Sequence, residues 1–187
     1  MGQTNRTSRT KQLTITAALT AIGILIPMVM PIRLVIGPAS YTLGSHIPLF
    51  LAMFISPTTA ILVTLGTTLG FFIGGFPIII VLRALSHLVF VSIGAYYLNR
   101  DNVDLQPAPK RYLFSFVLNL IHGIGEVVVV FVFTAVGSQG LDANFWYTLF
   151  VLVGIGTVIH GMIDFELAYY FARVLQGRTR IQLPNLN

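Results

Sequence analysis

Residues Ile78 to Leu98 read IIIVLRALSHLVFVSIGAYYL, twenty-one positions carrying one arginine, one histidine and almost nothing else polar. A run of that length rises about 30 Å as a helix, the thickness of a bilayer core. It is flanked by further runs of the same kind. The spacing predicts helices over residues 13–30, 45–55, 58–73, 78–98, 112–135 and 144–175. Apolar residues make up 55% of the 187-residue chain and charged residues 9%, against about 25% charged in a typical soluble domain. Such a chain cannot cover itself with polar surface. The reading is an all-α integral membrane protein: one domain over 1–187, a six-transmembrane-helix bundle with a lid-like loop after helix 1.

The first apolar run is longer than the core of a signal peptide and lacks a convincing small-residue cleavage site, so it reads as retained. After Pro31 come Ile32 to Gly44, rich in turn formers yet still carrying Leu34, Ile36, Tyr41 and Leu43. An apolar loop of this length is expected to pack over a cavity. The 45–55 segment rises only about 16 Å, roughly half a bilayer. It is therefore expected to be partial or to begin inside the loop.

Charge orients the chain. With a cytoplasmic N-terminus, nine basic residues fall inside (Arg6, Arg9, Lys11, Arg100, Lys110, Arg111, Arg173, Arg178, Arg180). Only Arg33 falls outside, and Arg83 lies within helix 4. That asymmetry predicts a multi-pass plasma-membrane protein with both termini cytoplasmic. The basic residues cluster at the ends of apolar segments rather than in a stripe interleaved with aromatics, so nucleic-acid binding is discarded. The chain has no cysteine. It also has no G-x-x-x-x-G-K-[ST] loop, no G-x-S-x-G elbow and no H-E-x-x-H pair.

Ionisable groups inside membrane helices are costly and mark function. Arg83 and His87 lie four apart on helix 4. Asn119, His122 and Glu126 share a face of helix 5, and His160 and Asp164 share a face of helix 6. Three polar stripes are expected to converge on the bundle interior. Arg83 lies about 9 Å below the outer end and Glu126 about 16 Å below it, level with His87. An outward-facing cavity is expected to hold these three, with His160 and Asp164 below it, too deep for direct ligand contact. His46 opens helix 2 beside the lid, Tyr41 belongs to the lid, and Asn144 and Tyr147 stand at the outer interface. Two readings of Arg83 stay open: a structural ion pair with Glu126, or a bidentate anchor for a ligand carboxylate. No metal is expected, because i, i+4 pairs arise from any polar stripe. Small residues form a second pattern: Ala17 with Ala21 on helix 1, and Gly66, Gly70 and Gly74 on helix 3. Such ridges permit close helix approach, within the bundle or with a partner.

The A-x-x-x-A first helix, the long apolar loop and the absence of any ATPase motif resemble the S component of an energy-coupling factor (ECF) vitamin transporter. The stretch Gly37-Pro38-Ala39-Ser40-Tyr41-Thr42-Leu43-Gly44-Ser45-His46-Ile47-Pro48, with Gly75-Phe76-Pro77 and Arg83-Ala84-Leu85-Ser86-His87, is similar to the niacin and pantothenate branch. The resemblance implies a capture subunit of an ATP-driven importer, binding a small carboxylate vitamin, nicotinate or pantothenate, tightly near the outer face. The lid would be the loop after helix 1 and the loop between helices 3 and 4. Arg83, His87, Glu126, His122, Asn119, His46, Tyr41, Asn144 and Tyr147 would make up the site. Ala17 and Ala21 would meet a membrane coupling subunit. Two separate ATPase subunits would hydrolyse ATP, and the chain itself would need no cofactor. The competing reading is a metal-dependent intramembrane enzyme using His122, Glu126, His160 and Asp164. A third is a scaffold subunit that binds no small molecule.

Overall fold

The computed structural model describes residues 9–36, 38–100, 103–137 and 141–178. Arg6, Gly37 and Arg180, used in the sequence reading, lie outside them. The described residues form six helices. They are α1 (Arg9–Val29), α2 (Ile47–Ile55), α3 (Pro57–Ile73), α4 (Ile78–Leu98), α5 (Ala108–Val136) and α6 (Ala143–Arg178). Within α6, Thr148–Ile155 is wound as a π-helix. The expected bundle departs from all-α at one place. The lid carries a two-stranded antiparallel hairpin, β1 (Arg33–Ile36) and β2 (Ala39–Thr42), with Leu34 opposite Tyr41 and Val35 opposite Ser40. The β-branched Val35 and Ile36 and the aromatic Tyr41 favour that pairing over an irregular loop.

Helices α1, α4, α5 and α6 are long and apolar enough to cross a membrane, and α3 is a shorter apolar helix. The nine-residue α2 is not a spanning helix. It rises about 14 Å, and Pro48 to Phe54 are buried apart from the half-buried Leu51. A half-helix is tolerated at such depth only when protein surrounds it. Ser56 ends α2 and caps α3 by accepting the Thr59 N–H at 3.1 Å. Gln12 in the first turns of α1 donates to Ser56 and Thr59 at 2.7 and 2.9 Å, so the α2–α3 junction lies at the same end of the bundle as the start of α1.

The long helices are turned inside out relative to a soluble protein. On α4 the exposed stripe is Leu85, Val89 and Ile93; on α5, Ile124, Val128 and Val132; on α6, Ile155, Ile159 and Ile163. The polar stripes face inward. Two apolar clusters bracket them. One packs Phe50, Phe54, Phe90, Phe165 and Tyr169 around α2. The other packs Ala39 of the hairpin against Val130, Leu149 and Val153. Read along α4, α5 or α6, the order is apolar layer, polar layer, apolar layer. Such a surface and such a core define a multi-pass membrane protein.

Helix α1 lies at the edge of the bundle. Its inner face meets α3 through glycine: a side chain at Gly66 would strike Thr20, one at Gly70 would strike Ile24, and one at Gly23 would strike Thr67. Gly66 and Gly70 therefore serve internal packing, while Gly74 is exposed at the end of α3. Ala17 and Ala21 point the other way and are exposed, leaving a smooth outer face on α1. Arg111, counted above among the cytoplasmic basic residues, lies within a helix rather than before it. Helix α5 starts at Ala108, and Arg111 grips Glu166 of α6 with Nε 2.9 and 3.1 Å from its two carboxylate oxygens. Its guanidinium lies 4.5 Å from the centre of the Tyr169 ring.

Candidate functional site

Between the hairpin and the N-terminal end of α2 lies a cavity of about 290 Å³. Its polar wall comes from α4 (Arg83, His87), α5 (Glu126), α6 (Thr157, His160) and the lid (Ser40, Tyr41, Ser45, His46); Phe71, Phe76 and Pro77 close one side. Both the loop after α1 and the turn before α4 thus lie over it.

Glu126 is the hub. Its Oε2 accepts from Arg83 Nη2 at 2.7 Å and from Thr157 Oγ1 at 2.6 Å. Its Oε1 lies 3.1 Å from His87 Nε2 and 3.5 Å from His122 Nε2. The carboxylate is 3% exposed, so these partners replace its water. Arg83 also reaches the lid, donating Nη1 to the Pro38 carbonyl at 2.5 Å and to Ser40 Oγ at 3.4 Å. Its Nε is buried and has no hydrogen-bond partner among the described residues.

Asp164 forms the second centre. Its Oδ1 accepts the Gly44 backbone N–H at 2.8 Å, and its Oδ2 accepts that of His46 at 3.0 Å. His46 Nδ1 stands 3.2 Å from Oδ2 and His160 Nε2 stands 3.4 Å from it. Gly44 has φ +80°, a turn that only glycine makes cheaply, and that turn presents the two amides to one carboxylate. Tyr41 donates its hydroxyl to the Leu152 carbonyl, in the π-wound part of α6. Burial pushes its phenol pKa up, offset in part by the Arg83 charge, so it stays a donor.

Convergence of the three stripes is as expected, with three corrections. His160 and Asp164 do not lie in a separate layer. His160 lines the same cavity, because the lid dips inward and His46 meets it at 5.1 Å between ring centres. Asn144 and Tyr147 are exposed and do not line this cavity. The inward face of α6 runs through Leu149, Val153 and Thr157, and these two residues fall off it. His122 and Asn119 are buried behind the wall rather than in it. His122 stacks on Phe90 at 4.3 Å and faces Asn119 Oδ1 at 3.4 Å. Thr157, Ser40 and Ser45 escaped the sequence reading. Thr157 lies one α-turn before His160 and was legible on that ground. Ser40 lies in a four-residue strand and Ser45 in the turn before α2, both too short to show a period.

Among the described residues, this helical membrane protein thus has a polar cavity beneath a lid, of a size for a small molecule. The chain is 42% identical to the niacin transporter NiaX of Lactococcus lactis subsp. cremoris (strain MG1363) over 175 residues, covering 94% of this chain and 78% of that protein. No family model matches the chain, and no solved structure matches it. The chain belongs to the family of niacin-type S components. It is a transport protein and not an enzyme, which sets aside the intramembrane-enzyme reading.

Removing one member of a buried ion pair leaves the other uncompensated, at about 3–5 kcal/mol. Arg83→Met is expected to lower the unfolding temperature of purified protein sharply. Arg83→Met with Glu126→Met should recover most of the loss. Full stability of the single variant, followed by differential scanning fluorimetry, would show that the pair is not the hub.

Proposed function

We propose that this chain is the substrate-capture subunit of an ECF-type importer and that its cavity holds nicotinate. Arg83 carries the reading. Its side chain lines the cavity; two of its nitrogens are committed, to Glu126 and to the lid, and the third, Nε, is buried without a partner among the described residues. Bound carboxylate would accept from that nitrogen, a charge-assisted bond in a dry site. Arg83 then serves both as structural partner of Glu126 and as anchor of the ligand. The name of the relative supports niacin. So does size: 290 Å³ is at the lower end of the roughly 300–1,000 Å³ of small-molecule pockets. It suits a single aromatic ring better than the longer pantothenate. His87, His46, Tyr41 and His160 would complete the wall around the ring, with Asn119 and His122 supporting them from behind.

The same proposal includes a membrane coupling subunit docked on the exposed Ala17 and Ala21 and two ATPase subunits beyond it. The six helices would be oriented with both termini in the cytoplasm, as the basic residues require. The α2–α3 junction and the Arg111–Glu166 pair would then lie at the inner side and the hairpin at the outer.

Isothermal titration is expected to give tight binding of nicotinate and poor binding of nicotinamide. Arg83→Ala should cost nicotinate at least about 1.5–3 kcal/mol and the amide much less. Equal losses for acid and amide would show that Arg83 holds only the protein. Ala17→Trp with Ala21→Trp should abolish uptake by cells and leave nicotinate binding by the purified chain unchanged; persisting uptake would move the docking face elsewhere. Single cysteines at Asp104 and Gln139 should label from opposite sides of the membrane, Asp104 from the cytoplasm. Labelling of Asp104 in intact cells reverses the orientation.

A further inference from the structure

We propose that His46, His87 and His122 form a binding site for a divalent transition-metal ion, with Glu126 as its fourth ligand. One ring nitrogen from each histidine lies within 4.8 Å of the other two, and all three residues are buried. Some point then lies within about 2.8 Å of all three, against metal–nitrogen bonds of about 2.0–2.1 Å. Each ring has to move inward by less than about 1 Å, a small side-chain adjustment. The rings come from three helix segments, the α2 start, α4 and α5, and meet edge to face at centroid distances of 4.6, 4.8 and 4.9 Å.

Hydrogen bonds at the outer edges fix what the inner edges present. Asn119 donates its amide nitrogen to the Ser115 carbonyl at 2.9 Å, so its Oδ1 faces His122 Nδ1 as an acceptor at 3.4 Å. The His122 proton therefore belongs on Nδ1, and Nε2 offers a lone pair. His46 repeats the arrangement: Nδ1 faces the Asp164 carboxylate, which leaves Nε2 as the lone pair. His122 Nε2 is buried without a hydrogen-bond partner, 3.5 Å from Glu126 Oε1, the oxygen that His87 Nε2 also faces. A lone pair set against a carboxylate oxygen in an apolar interior repels unless a cation stands between them. Neutral imidazoles joined by one carboxylate are a donor set for zinc and its neighbours. Asp164 and Asn119 stand where outer-shell acceptors orient metal-bound histidines. The second grouping, His46, His160 and Asp164, competes less well, because it uses the His46 edge that already faces Asp164.

The charge balance points the same way. Two carboxylates, Glu126 and Asp164, are buried here; the Arg83 guanidinium pairs with Glu126, while backbone amides and histidines hold Asp164, so with its imidazoles neutral the cluster is net negative. A dication reverses that sign. If the niacin reading holds, metal also favours entry of an anionic vitamin.

The test uses tag-free, vitamin-free protein, so that it stands apart from the niacin reading. Protein loaded with Zn²⁺ and desalted should retain one ion per chain by elemental mass spectrometry, and Zn²⁺ should raise its unfolding temperature. Co²⁺ in place of Zn²⁺ should give the intense visible absorption of a four-coordinate site. His122→Gln should weaken Zn²⁺ binding about tenfold or more and remove the thermal shift, while His160→Gln should leave both. Wild-type protein that retains no ion and shows no shift overturns the proposal, whether or not the variants fold. A loss that follows His160 rather than His122 overturns the assignment of ligands.

Discussion

Glu126 places a carboxylate in the middle of a helix whose other face is Ile124, Val128 and Val132, all exposed. In an interior without water, that charge costs several kcal/mol unless partners surround it, more than any single apolar contact supplies. Its partners are drawn from three helices: Arg83 and His87 of α4, His122 of α5 itself, and Thr157 of α6. Meeting them fixes the rotation of each helix about its axis, since only one face of α4 and one of α6 carry them. The apolar stripes are thereby turned outward. Arg83 passes the constraint on to the lid through Pro38 and Ser40. The site and the bundle are therefore one arrangement. The residues that can face a ligand are those that keep the helices in register.

The hairpin is set by a second carboxylate. Asp164 takes two consecutive-turn amides, Gly44 and His46, and a histidine ring. This ends the strand and starts α2 at mid-depth, which is why α2 is short. A backbone that leaves regular structure inside a membrane needs a substitute for water, and one side chain of α6 provides it.

Most of this architecture could be read from periodicity. Helix α4 ends where its apolar run ends, and Arg83, His87, His122, Glu126, His160 and Asp164 reveal their shared interior by spacings of three and four. Sequence could not show contacts between distant segments. His46 meets Asp164 across 118 positions, so His160 was assigned a deeper layer than it occupies. Asn144 and Tyr147 were placed by depth alone, which says nothing of rotation about the helix axis. The hairpin strands are four residues each, too short to declare a period of two. The histidine–carboxylate spacings visible within α5 and α6 concealed the cluster of His46, His87 and His122, one member of which arrives from the lid.

Tyr41 hooks the lid to the Leu152 carbonyl in the π-wound turn of α6, and the Gly44 and His46 amides hold the same lid to Asp164 three turns further along that helix. Anchored twice on one helix, β2 and the chain leading to α2 behave mechanically as an arm of α6. The hatch over the cavity is thus a lever rather than a hinged door. A tilt of α6 against α4 and α5 would carry the arm with it and stretch the Arg83 contacts to Pro38 and Ser40, the bonds that span the seam between the moving and the standing parts.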